Sequence, residues 1–166
     1  EQRWKDVSSV NFYGPLYGCR AVLPIMMKQR DGQIVNIISG TGFSGMPYQS
    51  IYGPFKAALN LLSLSLRYEY WDYGIKIGSA TPGTTATAIF EGGDIPKNAQ
   101  TPKQAAIRIL SGAAKNDRLV YGDDMDVIGG IFCYHPEAAQ MVDAMYRHFE
   151  HSTRTGGGYV DTDFGL

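Results

Sequence analysis

The chain has 166 residues, of which 44% are hydrophobic and 19% charged, as is ordinary for one folded domain. Its formal net charge is −1 and its 15 basic residues are scattered, so it lacks the basic stripe that nucleic-acid binding requires. No apolar run is long enough to span a membrane, and Cys19 and Cys133, without ligand spacing, are expected to be free thiols in a cytoplasmic protein.

The first predicted element is a long helix over residues 4–29, where apolar residues recur at helical spacing. Pro15 and Pro24 lie inside this pattern and predict a kink or a local break. Asn11 lies there among apolar neighbours, where an asparagine is mildly unfavourable in a helix. The presence of Asn11 at this unfavourable position therefore suggests a local structural or functional role.

A buried parallel strand is predicted over residues 33–39, because QIVNIIS is short, β-branched and almost continuously apolar. Ser39 closes this strand, and a loop of small residues follows over 40–50. A second long helix is predicted over 51–73, ended by Gly74 as a C-cap. Pro54 is tolerated only in a helix's first turn, so this helix should begin at about residue 51.

The rest of the chain alternates strands and helices. Residues 75–80 and 118–122 read as strands, and residues 101–116 and 136–151 as helices, the first of which opens with a Thr-Pro start signal. Residues 84–100 read as a loop with one short helix, and residues 152–166 as a flexible tail. This alternation predicts an α/β fold in which helices cover both faces of a parallel sheet. Residues 1–151 should belong to one domain.

Tyr52 and Lys56 are four residues apart on a predicted helix, so they project from one face. An ammonium beside a phenol favours the phenolate and should lower its pKa from the ordinary value near 10. Such a tyrosine can act as a general acid or base. Taken alone, the pair is more often a surface tyrosine packed against a lysine stem. Ser39, however, ends a parallel strand, at the edge where α/β sheets bind ligands.

With these motifs in register, the sequence resembles the short-chain dehydrogenase/reductase family over roughly its first 90 residues. The matching segments are VNFYG with Asn11, GQIVNIISGTG with Ser39, YGPFKAAL with Tyr52 and Lys56, and IKIGSATPGTTAT with Pro82, Gly83, Thr85 and Thr87. The resemblance implies a Rossmann-like, doubly wound parallel sheet. The family's first strands and its Gly-rich phosphate-binding turn should lie upstream of Asn11. We therefore expect a chain truncated at its N-terminus.

The resemblance also implies an oxidoreductase that interconverts a carbonyl and a secondary alcohol by hydride transfer, with NAD or NADP as cofactor. Tyr52 would be the acid/base, Ser39 would hold the reacting oxygen, and Lys56 would bind the nicotinamide ribose and lower the pKa of Tyr52. Asn11 would hold a water that links Lys56 to solvent. The residues implied for cofactor binding are Tyr52, Lys56, Pro82, Gly83, Thr85 and Thr87.

No metal site is expected. His148 and His151 lie three residues apart on a predicted helix without a third ligand, which favours a solvated helix face. Asp123, Asp124 and Asp126 lack the fixed ligand spacing and the terminal glutamate of a calcium loop.

Two alternatives to an active enzyme stay open. The chain could be a non-catalytic binding or regulatory protein of the same fold, or an inactive fragment that lacks the cofactor phosphate site. The expected partners are a small-molecule carbonyl or alcohol and, in the full-length protein, further copies in a homodimer or homotetramer. Residues 88–98 would cover the substrate, and the few polar groups there are Glu91, Asp94 and Lys97.

Overall fold

The fold is built on a three-stranded parallel sheet. A computed structural model describes residues 1–90 and 95–156 of the chain. The strands are β1 (Gly32–Ile37), β2 (Ile75–Ala80) and β3 (Leu119–Val120), and their order in the sheet is β1-β2-β3. All neighbouring strands pair in parallel, which confirms the predicted α/β fold. Because the strands run in one direction, their carboxyl ends meet at a single edge of the sheet.

The N-terminal helix consists of three consecutive parts, which are α1 (Gln2–Ser8), a π-helical segment (Ser9–Tyr13) and α2 (Gly14–Gln29). Gly14 N donates to Ser9 O, five residues back, which is the π-helical pattern. Pro15 has no amide hydrogen and cannot donate to the carbonyl of Asn11 four residues earlier. The local break predicted near Pro15 is therefore a π segment, whereas α2 continues through Pro24.

The α-helices that follow in the described part of the chain are α3 (Tyr52–Glu69), α4 (Pro102–Ala114), α5 (Asp124–Phe132) and α6 (Ala139–Gly156). The predicted start of α4 is present as a capping box between Thr101 and Gln104. Gly74, in the left-handed conformation, ends a 3-10 turn that follows α3 rather than α3 itself. Helix α5 was not predicted. Helix α6 extends beyond residue 151, so residues 152–156 of the predicted tail are helical and residues 157–166 lie outside the described residues.

Two apolar clusters hold the helices against the sheet. The first packs Cys19 and Leu23 of α2 against Ile75 and Ile77 of β2. The second consists of Ile38, Phe43 and Leu59 and packs α3 against the segment that follows β1. This second cluster brings the first turn of α3 close to the end of β1. Both cysteines are free, as expected, and within residues 1–90 and 95–156 no helix is long and apolar enough to cross a membrane.

Candidate active site

Tyr52 and Lys56 stand at the start of α3. Tyr52 is the first residue of this helix, so Pro54 falls in its first turn, where no intrahelical amide donor is needed. Lys56 Nζ lies 5.5 Å from the centroid of the Tyr52 ring, in a cation–π contact. The same ammonium donates a hydrogen bond to the carbonyl oxygen of Ile37, at 3.0 Å. The structure therefore places the two side chains side by side, as their spacing predicts.

Ser39 lies next to Tyr52 at the carboxyl end of β1. It is extended (φ −149°, ψ 154°) and caps a 3-10 turn over Gly40–Gly42. Its Oγ accepts hydrogen bonds from Thr41 N at 3.3 Å and from Thr41 Oγ1 at 3.1 Å. The Ser39 hydroxyl is also hydrogen-bonded to the Tyr52 phenol. Because a hydroxyl accepts and donates at once, Ser39 can orient both Tyr52 and the oxygen of a bound substrate.

Two glycines allow the turn after Ser39 to approach α3 closely. A Cβ atom on Gly42 would lie 3.1 Å from the carbonyl carbon of Lys56. A Cβ atom on Gly53 would lie 3.0 Å from the carbonyl oxygen of Thr41. A side chain at either position would therefore push the turn and the helix apart by a few tenths of an ångström. The two glycines therefore help to set the distance between Ser39 and the first turn of α3.

Burial dominates the protonation of this cluster. It raises the pKa of Tyr52 above its ordinary value of 10.0, and the hydrogen bond with Ser39 lowers that pKa in partial opposition. Burial lowers the pKa of Lys56 from its ordinary value of 10.5. The expected net lowering of the Tyr52 pKa by Lys56 is therefore wrong for this structure. The ammonium lies over the ring and hydrogen-bonds to Ile37, while the Tyr52 side chain is only partly exposed to water.

Asn11 lies in the π segment, which packs against α3. Its side-chain Nδ2 donates to the carbonyl of Val7 at 3.0 Å, so this amide is bonded within its own helix. Within the described parts of the chain, no hydrogen bond joins Asn11 to Lys56. The structure thus brings Asn11 to the helix that carries Lys56 without direct side-chain contact. π segments are rare and often occur at functional sites, and Pro15 leaves the Asn11 carbonyl without its α-helical donor.

The 82–87 loop follows β2 at the same edge of the sheet. Gly83 has a φ of 69°, which favours glycine. Thr85 Oγ1 lies 3.2 Å from the carbonyl oxygens of both Pro82 and Gly83 and donates to them, which closes the turn. Thr87 is exposed, and its hydroxyl accepts a long hydrogen bond of 3.5 Å from Ile89 N. Among the described residues, neither the amide nor the carbonyl of Thr85 has a hydrogen-bond partner.

The carboxyl group of Asp126, in the first turn of α5, lies where the three strands end. Its Oδ1 occupies the space that a side chain on Gly40 would fill, beyond the end of β1. The carboxyl group is hydrogen-bonded to the Thr81 side chain after β2 and to the backbone of Gly83 and Gly122. Its Oδ2 is buried and has no hydrogen-bond partner among residues 1–90 and 95–156. The sequence had suggested no role for this residue.

Burial also controls the protonation of Asp126. It raises the pKa of this carboxyl above 3.8, and the charge of Asp123 adds to the effect. The hydrogen bonds from Thr81 and from the backbone act in the opposite direction and lower the pKa. Asp126 is therefore a poorly solvated carboxyl group beside the Ser39 turn.

Two other features considered in the sequence are metal ligands and the segment over residues 88–98. No group of three or more His, Cys, Asp or Glu side chains within residues 1–90 and 95–156 could hold a metal ion. The segment expected to cover the substrate begins as a short 3-10 turn, Ala88–Phe90. Glu91 and Asp94 of that segment lie outside the described residues, whereas Lys97 is exposed.

Comparison with known sequences identifies relatives of the first part of the chain. The family model for short chain dehydrogenases matches residues 1–94, more than half of the chain. An uncharacterized oxidoreductase of Staphylococcus epidermidis is 36% identical over 93 residues, which cover 56% of this chain and 40% of that protein. One from Staphylococcus aureus is 37% identical over 86 residues, covering 52% of this chain and 37% of its own length. The chain thus spans about 40% of the length of the curated relatives it matches.

Solved structures share the fold over most of the chain. A short-chain dehydrogenase from Streptomyces avermitilis superposes with a TM-score of 0.67 at 25% identity, covering 96% of this chain and 64% of that one. A short-chain dehydrogenase from Sphingobium yanoikuyae, solved in complex with NADPH, gives a TM-score of 0.64 at 24% identity, with 86% and 54% covered. The chain therefore has a Rossmann-like fold and belongs to the short-chain dehydrogenase family of oxidoreductases.

Proposed function

We propose that this chain carries the proton-transfer residues of a nicotinamide-dependent oxidoreductase that interconverts a carbonyl and a secondary alcohol. One observation carries the proposal, namely the cluster of Ser39, Tyr52 and Lys56 at the carboxyl edge of the sheet. The Tyr52 phenol is hydrogen-bonded to Ser39, and the Lys56 ammonium lies 5.5 Å from its ring centroid. A phenol, a hydroxyl and a cation so arranged are suited to move a proton to or from an oxygen atom.

Tyr52 Oη is the atom that exchanges this proton. In reduction, Tyr52 donates its proton to the substrate oxygen while the Ser39 hydroxyl hydrogen-bonds to the same oxygen. In oxidation, the proton returns from the alcohol to the Tyr52 phenolate. Because burial raises the pKa of Tyr52, the phenol is protonated at neutral pH, which is the form that reduction requires. The bound nicotinamide supplies the hydride for reduction and accepts it in oxidation.

Lys56 supports this exchange from inside the site. One of its three N–H groups is bonded to the Ile37 carbonyl, at 3.0 Å, which fixes the ammonium beside Tyr52. The remaining two can hydrogen-bond to the nicotinamide ribose, and the positive charge favours the phenolate formed after proton donation. Asn11, whose carbonyl lacks an α-helical donor because of Pro15, would hold a water that returns protons from solvent through Lys56.

The 82–87 loop has the groups that a nicotinamide carboxamide requires. A carboxamide presents one acceptor and two donors, and Thr85 offers an unpaired amide and an unpaired carbonyl among the described residues. The exposed Thr87 hydroxyl adds another polar group on the same loop. Pro82 and Gly83 place this loop directly after β2. NAD and NADP share the nicotinamide, so these residues suit either cofactor.

The proposed protein acts on a small-molecule carbonyl or alcohol in the cytoplasm and forms a homodimer or homotetramer. The self-association rests on exposed apolar side chains along α2 and α3, among them Tyr17, Leu61 and Tyr68, each more than half exposed. Surfaces of this kind are often covered by a partner. Sedimentation of the full-length gene product would measure its assembly state.

A cofactor and substrate screen of the full-length gene product tests the proposed function. Aldehydes and ketones are supplied with NADH or NADPH, and loss of reduced-cofactor absorbance is followed, with cofactor binding measured by fluorescence titration. We expect binding of at least one cofactor and its carbonyl-dependent oxidation. A protein that binds neither cofactor would contradict the proposal, and one that binds a cofactor without turnover of any substrate would favour a regulatory role.

A further inference from the structure

The two oxygens of the Asp123 carboxylate hold two different elements. Oδ2 accepts a hydrogen bond from Thr84 N, in the 82–87 loop, at 2.7 Å. Oδ1 accepts from Asp126 N at 2.9 Å and so caps the N-terminus of α5. The bond to Thr84 is short and involves a charged acceptor, so it belongs to the stronger class of hydrogen bonds. Asp123 therefore ties the loop after β2 to the helix after β3.

Gln100 secures the same loop from its other side. Its Nε2 donates to the carbonyls of Pro82 and Gly122, at 2.7 and 3.2 Å. Its backbone accepts from Ala86 N at 2.8 Å and donates to the carbonyl of Thr84 at 2.9 Å. The loop is thus bonded to Gln100 through both its side chain and its backbone.

Gly83 shows how tightly these two side chains enclose the loop. A Cβ atom at Gly83 would lie 2.8 Å from both Asp123 Oδ2 and Gln100 Nε2. Thr84 uses its amide on Asp123 and its carbonyl on Gln100, so it is held at both ends. Thr85, the next residue, keeps its amide and carbonyl unpaired among the described residues. The arrangement therefore presents these two groups of Thr85 in a fixed direction.

We propose that Asp123 is a positioning residue, which holds Thr84 so that the backbone of Thr85 faces the nicotinamide of a bound cofactor. This inference rests on the proposed function, because it assigns the ligand of the Thr85 backbone to that cofactor. Each oxygen of Asp123 already accepts a hydrogen bond from one amide, and this role does not require contact with the cofactor. Loss of Asp123 should therefore weaken binding of the nicotinamide end of the cofactor and leave binding of its ADP-ribose part unchanged.

Substitution by asparagine separates the two tasks of Asp123. An asparagine has a single acceptor oxygen and can serve only one of the two amides, and it is as good a helix N-cap as aspartate. We expect Asp123→Asn to keep the cap of α5, the task that asparagine performs as well as aspartate, and to lose the charge-assisted bond to Thr84, whereas Asp123→Ala loses both bonds. Asp124→Asn is the matched control for the loss of charge, because Asp124 is exposed and its side chain makes no hydrogen bond among the described residues.

The test compares two ligands that differ only at the nicotinamide end. Calorimetric titration of the full-length gene product gives Kd for the reduced cofactor and for the corresponding ADP-ribose, which lacks the nicotinamide. Loss of one charge-assisted hydrogen bond should weaken binding of the reduced cofactor about tenfold in both Asp123 variants. ADP-ribose binding should stay unchanged in both, and Asp124→Asn should change neither. In the cofactor-free protein, amide hydrogen exchange at Thr84 should become faster in the Asp123 variants.

Two results would overturn the inference. One is that the Asp123 variants bind both ligands as the wild type does, and the other is that they weaken both ligands equally, as a merely structural residue would. Failure of the proposed function looks different, because the wild-type protein would then bind the reduced cofactor no better than ADP-ribose and Asp123 would have no nicotinamide to position.

Discussion

Replacing Gly42 by alanine should move Ser39 away from Tyr52. Gly42 ends the turn that Ser39 caps, and a Cβ atom there would lie 3.1 Å from both the amide nitrogen of Ala57 and the carbonyl carbon of Lys56. Both are backbone atoms of α3, so they cannot move aside as a flexible side chain would. The turn must therefore withdraw from the helix by a few tenths of an ångström.

Gly45, in the same loop, provides a matched control, because nothing lies within 4 Å of its Cβ position. Neither glycine has a positive φ, so alanine is sterically allowed by the backbone at both. Each substitution restricts the unfolded chain and stabilises the protein by about 0.4–1 kcal/mol, a gain that cancels in the comparison. Overpacking at Gly42 costs about 1–3 kcal/mol. At about 2–4 °C for each kcal/mol, Gly42→Ala should melt several degrees below Gly45→Ala.

Calorimetry gives the two melting temperatures, and steady-state kinetics of the full-length gene product give kcat and KM. We expect Gly42→Ala to have a lower kcat, because the Ser39 hydroxyl is displaced from Tyr52. The KM for the cofactor should change less. Equal melting temperatures and equal kcat in the two alanine variants would show that the turn has room for a side chain at residue 42, and that Gly42 does not set the position of Ser39.

Two further predictions follow from the raised pKa values of Asp126 and Tyr52. The pKa of Asp126 is raised on folding, so its ionisation costs stability, and this cost grows as pH rises from about 3.8 through its folded-state value. Asp126→Asn should thus raise the free energy of unfolding more at pH 7 than at pH 4, measured by urea denaturation, and an equal change at both would contradict this cause. The pKa of Tyr52 is raised above 10.0, so carbonyl reduction should keep a constant kcat/KM from about pH 6 to about pH 9. Alcohol oxidation, which needs the phenolate, should accelerate by about tenfold per pH unit over the same range, and a fall in reduction near pH 7 would exclude a protonated Tyr52.

Local patterns in the sequence predicted the strand and the helix that place Ser39, Tyr52 and Lys56 close together, whereas their roles were implied by the family resemblance. The buried strand that Ser39 closes and the helix that opens at Tyr52 both have strong short-range signals, namely a continuous apolar run and a four-residue spacing on one face. Pro54 further fixed where α3 begins, since it fits only the first turn. These signals depend on neighbouring residues alone, so the elements that they predict do not depend on contacts between distant parts of the chain.

Features that depend on distant residues could not be predicted in the same way. The sign of the Tyr52 pKa shift follows from burial, which the spacing of Tyr52 and Lys56 does not reveal. The contacts of Asp123 and Gln100 with the 82–87 loop join segments that are far apart in the chain. The sequence does contain a signal for the role of Asp123 at α5, because an aspartate that follows a strand and precedes a helix is a common N-cap. Helix α5 itself is short and contains Gly129 and Gly130, which weaken its helical pattern.

Replacement of Tyr52 by phenylalanine tests whether Tyr52 is the proton donor and acceptor, because it removes only the hydroxyl that exchanges the proton. Tyr48→Phe is the matched control, since the Tyr48 hydroxyl donates to Glu150 at 2.9 Å, outside the Ser39 cluster. Turnover and reduced-cofactor Kd are measured for both variants of the full-length gene product. We expect Tyr52→Phe to lose at least about a hundredfold in kcat with little change in Kd, while Tyr48→Phe keeps its turnover. Undiminished turnover by Tyr52→Phe would contradict this role of Tyr52.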